Sequence, residues 1–372
     1  MKMMGIIFSN IYDEIMGELT KNRTLASLPF GGRYRQIDFI LSNMVNSNIS
    51  SVGVITKYNY QSLMDHLHLC SEWDLNRKNG GLFILPPYGT GRSDIYRGKL
   101  EALYGVTKYI NMTNSEYVLI AGSNVLCNID FQPVLASHIK SGADVTVIGN
   151  HQVPEHVNQK CELVFQKEHG EISDVMVKSA FTEDMVCGMG MYIMKKDYLL
   201  NLIEDSMTHG HTHLEKDFIQ KSFMKHKLKV NVYVFDGMVL RNDDIPMYFK
   251  NNMKLLDERV RQDLFDTKSP IYTKVRDEVP TRYGESAVVN DSLIADGCRI
   301  DGYVENSILF RDVTIEKGCV IRNAIIMQGT HISEGATIQH TIVDKNVKIS
   351  KHVALIGAET SPVIVKKGEG IQ

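Results

Sequence analysis

The chain has 372 residues, of which 43% are hydrophobic and 23% are charged, and its formal net charge at pH 7 is −3. This length allows two or three domains with a large buried core, and the slightly negative charge gives no electrostatic basis for nucleic-acid binding. No run of 18 apolar residues and no basic-then-apolar leader occurs, so we expect a cytoplasmic protein without a membrane partner.

The cysteine and histidine patterns do not predict a metal site. The six cysteines are scattered and contain no C-x-x-C pair, so the simple interpretation is a chain with reduced thiols. A His-Gly-His-Thr-His run over residues 209–213 has no cysteine near it and is interpreted as a solvated loop.

Residues 1–245 alternate strand-like apolar runs with stretches of helical spacing. The predicted helices include residues 60–68, 100–109 and 131–141. The predicted strands are residues 5–9, 52–56, 117–121, 144–148, 189–194 and 230–235. Such alternation predicts a doubly wound, mostly parallel α/β sheet of the Rossmann-like type, although some late strands could be antiparallel.

The alternation of strand-like and helical segments ends after residue 245. Residues 247–265 have helical spacing, and a linker containing Pro270 and Pro280 follows. We therefore place a helix and linker at residues 246–284 and a further domain at residues 285–372.

Isoleucines in the last segment recur 17 residues apart, at positions 315, 332 and 349. That spacing approximates three hexapeptides and predicts a parallel β-helix, in which each coil buries its apolar face against the next. An antiparallel all-β domain is the alternative. Five glycines are expected at the corners with positive φ: Gly297, Gly302, Gly318, Gly329 and Gly335.

Three motifs lie in the first 245 residues. Residues 28–43 read Leu-Pro-Phe-Gly-Gly-Arg-Tyr-Arg-Gln-Ile-Asp-Phe-Ile-Leu-Ser-Asn, and they follow the first predicted strand and a long loop. Residues 96–102 read Tyr-Arg-Gly-Lys-Leu-Glu-Ala, and residues 118–124 read Val-Leu-Ile-Ala-Gly-Ser-Asn. In doubly wound sheets, ligands bind at the carboxyl ends of the strands, where the third motif falls.

These motifs resemble those of the nucleotidyltransferases that make nucleotide sugars from sugar 1-phosphates, and most closely those of ADP-glucose pyrophosphorylase. The family carries Pro-Phe-Gly-Gly-Lys-Tyr-Arg-x-Ile-Asp-Phe-x-Leu-Ser-Asn, Tyr-Arg-Gly-Thr-Ala-Asp-Ala and Val-Leu-x-Ser-Gly-Asp-His in the same order. The resemblance covers nearly the whole chain. It implies a nucleotidyltransferase sheet domain at residues 1–245 and a C-terminal left-handed parallel β-helix.

The resemblance also implies that the catalytic positions are lost. The family's Gly-Gly-x-Gly-x-Arg phosphate loop falls on residues 10–15, which contain no glycine but include Asp13 and Glu14. The lysine of the family's Arg-x-Lys-Pro-Ala falls on Leu25, and the magnesium-binding aspartate falls on Ser123. A hydroxyl without a neighbouring carboxylate is a poor magnesium ligand.

The second magnesium carboxylate of the family falls on Arg241, or on Asn242 after a shift of one residue, with Asp243 as a possible substitute. We therefore expect no intact catalytic residue, no metal and no cofactor bound by this chain. Magnesium is expected only in a catalytic partner.

Other family positions survive in part. The resemblance assigns Tyr96, Arg97, Gly98 and Gly122 as remnants of the nucleotide pocket. It assigns Lys178 and Gly188 as remnants of the sugar-phosphate site, where the family has Glu-Lys-Pro and a serine.

Two arginines are candidates for an effector or anion site, since the family places arginines at the positions of Arg23 and Arg35 near its effector. A rigid guanidinium fork suits phosphate or sulfate. The alternative is that both make surface or interface salt bridges.

Retained scaffold motifs and lost catalytic motifs resemble the regulatory GlgD-type subunit of glucose-1-phosphate adenylyltransferase in glycogen biosynthesis. That resemblance implies a heterotetramer with a catalytic GlgC-type subunit and sensitivity to a phosphorylated metabolite. Two alternatives stay open: an active sugar-1-phosphate nucleotidyltransferase with a divergent site, and a free-standing carbohydrate- or effector-binding protein.

Overall fold

A computed structural model describes residues 2–10, 13–87, 96–151, 161–168, 171–179 and 182–372. The chain forms two compact units. The first contains residues 1–11, 39–60 and 68–239, and the second contains residues 12–38, 61–67 and 240–372. Among the described residues, no helix combines the length and the apolar character needed to cross a membrane.

The first unit is built on a mixed sheet that has nine strands in the described part of the chain. Seven strands follow one another across it in the order Glu171–Ser179, Cys161–Glu168, Val186–Lys195, Tyr117–Gly122, Met3–Phe8, Ser51–Ile55 and Gly81–Leu85. Strand Val145–Asn150 pairs with Val186–Lys195 and with Val230–Val234. A short strand, Val125–Leu126, lies outside this sheet.

The sheet contains both parallel and antiparallel pairs of strands. Met3–Phe8 is parallel to both of its neighbours, Ser51–Ile55 and Tyr117–Gly122, and these strands are completely or almost completely buried. Val186–Lys195 is antiparallel to all the strands with which it pairs. The predicted doubly wound, mostly parallel sheet is therefore confirmed, and the late antiparallel strands are located.

Short helices connect these strands. Asp130 caps the helix Phe131–Ser141 by accepting a hydrogen bond from the Gln132 amide at 2.9 Å, and Gly142 ends it in the left-handed conformation. The α-helices of the described chain are Gln36–Asn46, Gln61–Leu67, Lys99–Gly105, Thr107–Met112, Phe131–Ser141, Lys196–Thr208, Lys221–Met224, Ile245–Lys254 and Glu258–Leu264. Shorter turns are the 3₁₀ segments Gly17–Leu19, Leu25–Ser27 and Ser71–Trp73 and the π-helical segment Leu214–Gln220.

The second unit contains the predicted β-helix. Two stacks of parallel strands run along it, with Ile315 paired to Ile332 and Ile332 paired to Ile349. One stack has strands Arg282–Tyr283, Arg299–Ile300, Thr314–Ile315, His331–Ile332, Lys348–Ile349 and Gly370–Ile371. The other has Val288–Asn290, Leu293–Ile294, Tyr303–Glu305, Ile308–Leu309, Val320–Ile326, Thr337–Val343, Ala354–Ile356 and Val363–Val365.

The isoleucine repeat forms the core of this β-helix, because Ile315, Ile332 and Ile349 are all buried. Four of the five predicted corner glycines have positive φ, but Gly302 does not. At Gly302 the constraint is space, since a Cβ atom there would lie 2.8 Å from the carbonyl oxygen of Cys319.

The Gly-Gly motif is held inside the second unit by the helix Ile245–Lys254. The Gly31 amide donates to Asn252 Oδ1 at 3.0 Å, and the Tyr248 hydroxyl donates to the carbonyl of Pro29. Strands Pro29–Phe30 and Tyr34–Arg35 form a hairpin around the glycines, and strand Leu240–Arg241 precedes the helix. The motif is therefore required by the fold of this unit, independently of any catalysis.

The thiols differ from the expectation of a fully reduced chain. Cys70, Cys127, Cys298 and Cys319 are free and buried, whereas Cys187 is disulfide-bonded.

Candidate functional site

Ser123 follows the buried strand Tyr117–Gly122, whose last residue, Gly122, pairs with Phe8. The Ser123 side chain is 2% exposed, and its hydroxyl donates to the carbonyl oxygen of Phe8 at 3.3 Å. The position at which the family carries its magnesium aspartate thus holds a small hydroxyl that satisfies a backbone carbonyl.

Leu25 is completely buried in the 3₁₀ segment Leu25–Ser27. Its amide donates to Asp13 Oδ1 at 2.7 Å, and Asp13 is itself 5% exposed. The sequence predicted a carboxylate at residue 13 that would repel a triphosphate. In the structure that carboxylate instead holds the loop backbone, and an apolar side chain replaces the family lysine.

Asn242 is also completely buried, and its side chain is hydrogen-bonded on both sides. Its amide donates to Gln36 Oε1 at 3.4 Å, and its Oδ1 accepts from Asn251 Nδ2 at 2.9 Å. The neighbouring Arg241 is half-buried, and its carbonyl also accepts from Asn251 Nδ2, at 2.8 Å. Asp244 caps the following helix through the Met247 amide.

The residues at these positions do not fit a magnesium ion. Ser123 and Asn242 offer neutral oxygens that are already hydrogen-bonded, whereas Mg²⁺ is bound through carboxylates and water. In the described parts of the chain, no three His, Cys, Asp or Glu side chains converge to hold a metal ion.

A cavity of about 210 Å³ lies in the first unit, beside the second motif. Its walls contain three of the predicted nucleotide-pocket residues, Tyr96, Arg97 and Gly98, but not Gly122. The remaining lining residues are Phe8, Asn10, Ile55, Thr56, Lys57, Lys99, Ala102, Glu162, His213 and Glu215. The volume is below the roughly 300–1,000 Å³ of pockets that hold drug-sized ligands.

Gly98 shows why the motif needs a glycine in this chain. A Cβ atom at Gly98 would lie 2.2 Å from the carbonyl oxygen of Thr212, which accepts a hydrogen bond from the Leu100 amide at 3.0 Å. Arg97 is exposed and pairs with Glu101 one turn along the helix, with Nε 2.9 Å from Oε1. Both residues therefore have structural reasons for their identity: Gly98 lies against the Thr212 backbone, and Arg97 pairs with Glu101 within the motif.

The wall of the cavity contains a buried group of three charges. Lys99 Nζ lies 2.7 Å from Glu162 Oε2 and also contacts Glu215 Oε1, which accepts from the Tyr192 hydroxyl at 2.9 Å. Burial lowers the pKa of Lys99, but the two carboxylates outweigh burial and raise it. Two carboxylates held by one ammonium disfavour a triphosphate, because an entering anion would meet negative charge at short range.

The two predicted sugar-phosphate residues lie elsewhere in the first unit. Lys178 is exposed on the strand Glu171–Ser179 and has φ +50°. Gly188 is buried on the strand Val186–Lys195, at a register shift against Val145–Asn150. Neither residue lines the cavity.

The two predicted effector arginines have different surroundings in the second unit. Arg23 donates through Nη2 to Asp344 and through Nε to the carbonyl of Leu19 at 2.8 Å, and it is 5% exposed. Arg35 instead lines a small cavity of about 40 Å³. Its Nη1 donates to the Ser62 hydroxyl at 3.0 Å.

This small cavity is strongly basic, and we call it the basic cavity. Its lining residues are Pro29, Gly32, Arg33, Tyr34, Arg35, His66, Lys274, Arg276, Phe310, Arg311, Gln328 and Lys345. Arg311 is 7% exposed, and its Nε and Nη2 atoms have no hydrogen-bond partner in the described chain. Buried donors of this kind cost free energy unless a partner binds them, and a guanidinium prefers an anion.

A carboxylate does lie next to this cavity, but its oxygens are already occupied. Asp38 Oδ2 accepts from the Arg35 amide at 2.9 Å, and Asp38 Oδ1 lies 2.6 Å from His66 Nε2. Burial lowers the pKa of His66 despite this contact with Asp38.

Burial is the main cause that lowers the pKa of two cavity arginines, and neighbouring positive charges add to it. Burial lowers the pKa of Arg35 to about 10, with Arg23 adding to the effect and Asp38 opposing it. Burial and the Arg33 guanidinium likewise lower the pKa of Arg311. A bound anion would relieve this repulsion, so the cavity is a candidate anion site.

Sequence reasoning found Arg35 but missed the rest of the basic cavity. Arg33 lies in the quoted motif and could have been considered, because it is two residues from Arg35. Arg276, Arg311 and Lys345 belong to the linker and the β-helix, and no local pattern links them to residue 35.

Comparisons with known proteins agree with this fold. Residues 16–238 match the family described as Nucleotidyl transferase, and residues 277–362 match the family described as GlmU-like, C-terminal hexapeptide. The sheet, the motifs and the hexapeptide β-helix together define a nucleotidyl transferase scaffold. The chain belongs to the nucleotidyl transferase family.

Relatives that match most of the chain are proteins of glycogen biosynthesis and glucose-1-phosphate adenylyltransferases. The chain is 38% identical to the glycogen biosynthesis protein GlgD of Bacillus subtilis, with 99% of this chain and 96% of the relative covered. It is 40% identical to GlgD of Geobacillus stearothermophilus over the same shares. It is 36% identical to the glucose-1-phosphate adenylyltransferase of Geobacillus stearothermophilus, with 82% of this chain and 79% of the relative covered.

Proposed function

We propose that the chain is a non-catalytic or weakly catalytic regulatory subunit of glucose-1-phosphate adenylyltransferase, which makes ADP-glucose and diphosphate from ATP and glucose 1-phosphate in glycogen biosynthesis. The subunit works in the cytoplasm. The similarity to GlgD over 99% of the chain supports this assignment.

The main observation behind the proposal is that the family's catalytic positions hold buried residues without the catalytic side chains. Leu25 and Ser123 are both buried, and Ser123 satisfies a backbone carbonyl. Loss of one hydrogen-bond donor to the developing charge in an oxyanion hole costs roughly 2.7–4 kcal/mol of transition-state stabilisation, and we expect losses of this order for each missing phosphate contact. With several such contacts replaced, the described residues at these positions do not stabilise the transferred adenylyl group.

Catalysis then belongs to a partner. We propose a heterotetramer with a catalytic GlgC-type subunit, which binds Mg²⁺ and the substrates. The similarity to glucose-1-phosphate adenylyltransferases supports a partner of the same scaffold.

In this proposal the regulatory effector, a phosphorylated metabolite, binds in the basic cavity. A phosphorylated metabolite placed there meets the fork of Arg35 and the unpartnered donors of Arg311. The cavity is small, about 40 Å³, so in this proposal only the phosphate group lies among these side chains and the remainder of the metabolite extends outward. Arg23 contributes through the charge it adds beside Arg35, since its own donors hold Asp344 and Leu19.

The test is reconstitution with the glucose-1-phosphate adenylyltransferase chain from the same cell. We expect the two purified chains to co-elute in size-exclusion chromatography at micromolar concentration. We also expect the mixture to differ from the partner alone in rate or in its response to phosphorylated metabolites. Absence of a complex at that concentration would reject the regulatory assignment and favour a free-standing binding protein.

A further inference from the structure

We infer that the basic cavity takes up one proton together with its anion, and that the amine of Lys345 accepts that proton. The anion therefore binds more tightly as the pH falls from 8 to 6. This inference rests on the proposed anion role of the basic cavity, and it adds the dependence of that site on pH.

The first argument is the position of Lys345. The residue is half-buried and lines the cavity together with Arg35 and Arg311. In the described part of the chain, its ammonium group forms no ion pair, although Asp344 is its neighbour in sequence. The Asp344 carboxylate pairs with Arg23. From Lys345 it accepts a hydrogen bond from the backbone amide, at 2.6 Å, and none from the side-chain ammonium group.

The second argument is the surrounding charge. Burial, followed by the charges of Arg35 and Arg23, lowers the pKa of Lys345 to about 7, and Asp344 opposes the change only in part. A substantial fraction of the amine is therefore neutral at physiological pH. Arginine guanidinium groups stay charged in this range, so they hold the anion without exchanging a proton.

The charged and titratable groups around Lys345 come from every segment packed on the cavity. They are Arg23, Arg33, Tyr34, Arg35, Asp38, Asp65, His66, Lys274, Arg276, Glu278, Asp296, Arg311 and Asp344. Five carboxylates face seven basic groups, and two of the carboxylates, Asp38 and Asp344, are already paired with His66 and Arg23. Positive charge thus exceeds negative charge before Lys345 is counted.

A bound anion shifts the protonation equilibrium of Lys345 towards the charged ammonium form. A negative charge inside a partly dehydrated cavity favours the ammonium form, so the pKa of Lys345 rises when the anion binds. Above the free-state value, each bound anion then draws a proton from solvent onto the amine nitrogen. By linkage, affinity falls by up to about tenfold for each pH unit between the free and bound pKa values.

His66 is the competing proton acceptor, since it also lines the cavity and burial lowers its pKa. It differs from Lys345 in that its Nε2 is already 2.6 Å from a carboxylate oxygen of Asp38. The experiment must therefore separate the two residues.

The experiment is titration calorimetry of the full chain with sulfate at pH 6, 7 and 8. Sulfate does not titrate in this range, and two buffers of different ionisation enthalpy at each pH give the number of protons taken up. We expect uptake close to zero at pH 6 and approaching one proton at pH 8, with affinity decreasing over the same interval. Lys345→Arg should bind sulfate with no uptake and with affinity that no longer depends on pH, whereas His66→Asn should keep the uptake.

Four outcomes are distinguishable. Uptake that persists in Lys345→Arg overturns the assignment to Lys345, and loss of uptake in His66→Asn transfers it to the histidine. Sulfate binding without uptake at any pH rejects proton coupling while leaving the anion site intact. No sulfate binding at any pH removes the proposed anion role itself, and with it this inference. Thermal unfolding of both variants confirms that they are folded.

Discussion

Arg23 and Asp344 are 321 residues apart in the chain and form a buried ion pair in the second unit. Their side chains are 6% and 2% exposed, so the guanidinium and the carboxylate are both largely removed from water. Arg23 was predicted from the sequence as an effector ligand. Its geometry makes it first a structural residue that joins the loop after residue 12 to the β-helix coil at residue 344.

The stability of the chain should depend on this pair. Removing one partner of a buried pair leaves an uncompensated charge and costs about 3–5 kcal/mol. We expect Arg23→Met to lower the free energy of unfolding by that amount in urea titrations. The matched control is Arg77→Met, which breaks an exposed pair with Asp74 and should cost about 1 kcal/mol or less. Equal losses in the two variants would contradict a structural role for Arg23.

Anion binding should depend on Arg311. Hydrogen bonds to charged groups contribute about 1.5–3 kcal/mol each, so loss of the Arg311 fork should weaken sulfate binding by about tenfold or more. The change to test is Arg311→Gln, measured by calorimetry. Arg322→Gln is the control, because Arg322 is also on the β-helix but is 49% exposed and pairs with Glu305. If both variants bind sulfate equally, the attraction is diffuse and the basic cavity is not the site.

The stability of the first unit should become more sensitive to pH when Lys99 is removed from its two carboxylate partners, Glu162 and Glu215. In the intact chain, burial disfavours the charged form of Glu215, but Lys99 outweighs it and lowers the pKa. The Glu215 carboxylate therefore contributes stability above its unfolded pKa of 4.5, and this stability is lost as the pH falls through the lowered value. In Lys99→Met, the Tyr192 hydroxyl still lowers the pKa of Glu215, but the main counterweight to burial is gone and the pKa rises relative to the intact chain. Ionisation of Glu215 then destabilises the fold as the pH rises.

We expect Lys99→Met to cost about 3–5 kcal/mol at pH 8 and clearly less at pH 5, measured as the unfolding free energy at both pH values. Lys221→Met is the control, since Lys221 pairs with Asp217 on the surface of the same segment. A cost that is the same at pH 5 and pH 8 would show that the carboxylates do not depend on Lys99.

Restoring the metal-binding aspartate alone should not restore catalysis. Ser123→Asp would place a carboxylate at a position that is 2% exposed and beside the carbonyl oxygen of Phe8. An unpaired buried charge costs roughly 2 kcal/mol or more, so the variant should be less stable and still inactive. Ser123→Ala loses only the 3.3 Å hydrogen bond and should cost about 1 kcal/mol or less. Adenylyltransferase activity in Ser123→Asp would show that the rest of the site is intact.

Much of the fold was predictable because it depends on short-range patterns. The six predicted strands of the first unit all form, and the isoleucines spaced 17 residues apart occupy the core of the β-helix. Three strands of the large sheet were missed, Gly81–Leu85, Cys161–Glu168 and Glu171–Ser179, as was the short strand Val125–Leu126 outside it. Strand Glu171–Ser179 is mostly exposed or half-buried, so its sequence lacks the apolar run that marks a central strand.

The candidate sites were less predictable, because charge arrangement depends on tertiary structure. Lys345 and Arg35 are distant in sequence, and only folding brings them to one cavity. Family alignment identified Leu25 and Ser123 as altered positions, but it could not show that both are buried. The assignment of site residues and the division at residues 1–245, 246–284 and 285–372 stay predictions.

Magnesium-dependent release of diphosphate from ATP and glucose 1-phosphate is the most direct measurement of the proposed role. The purified chain alone should show no turnover above background, and adding it to the catalytic partner should change the partner's rate or effector response. Turnover by the chain alone at an ordinary enzymatic rate, on the order of 10 per second, would contradict the loss of catalysis and show an active enzyme with a divergent site.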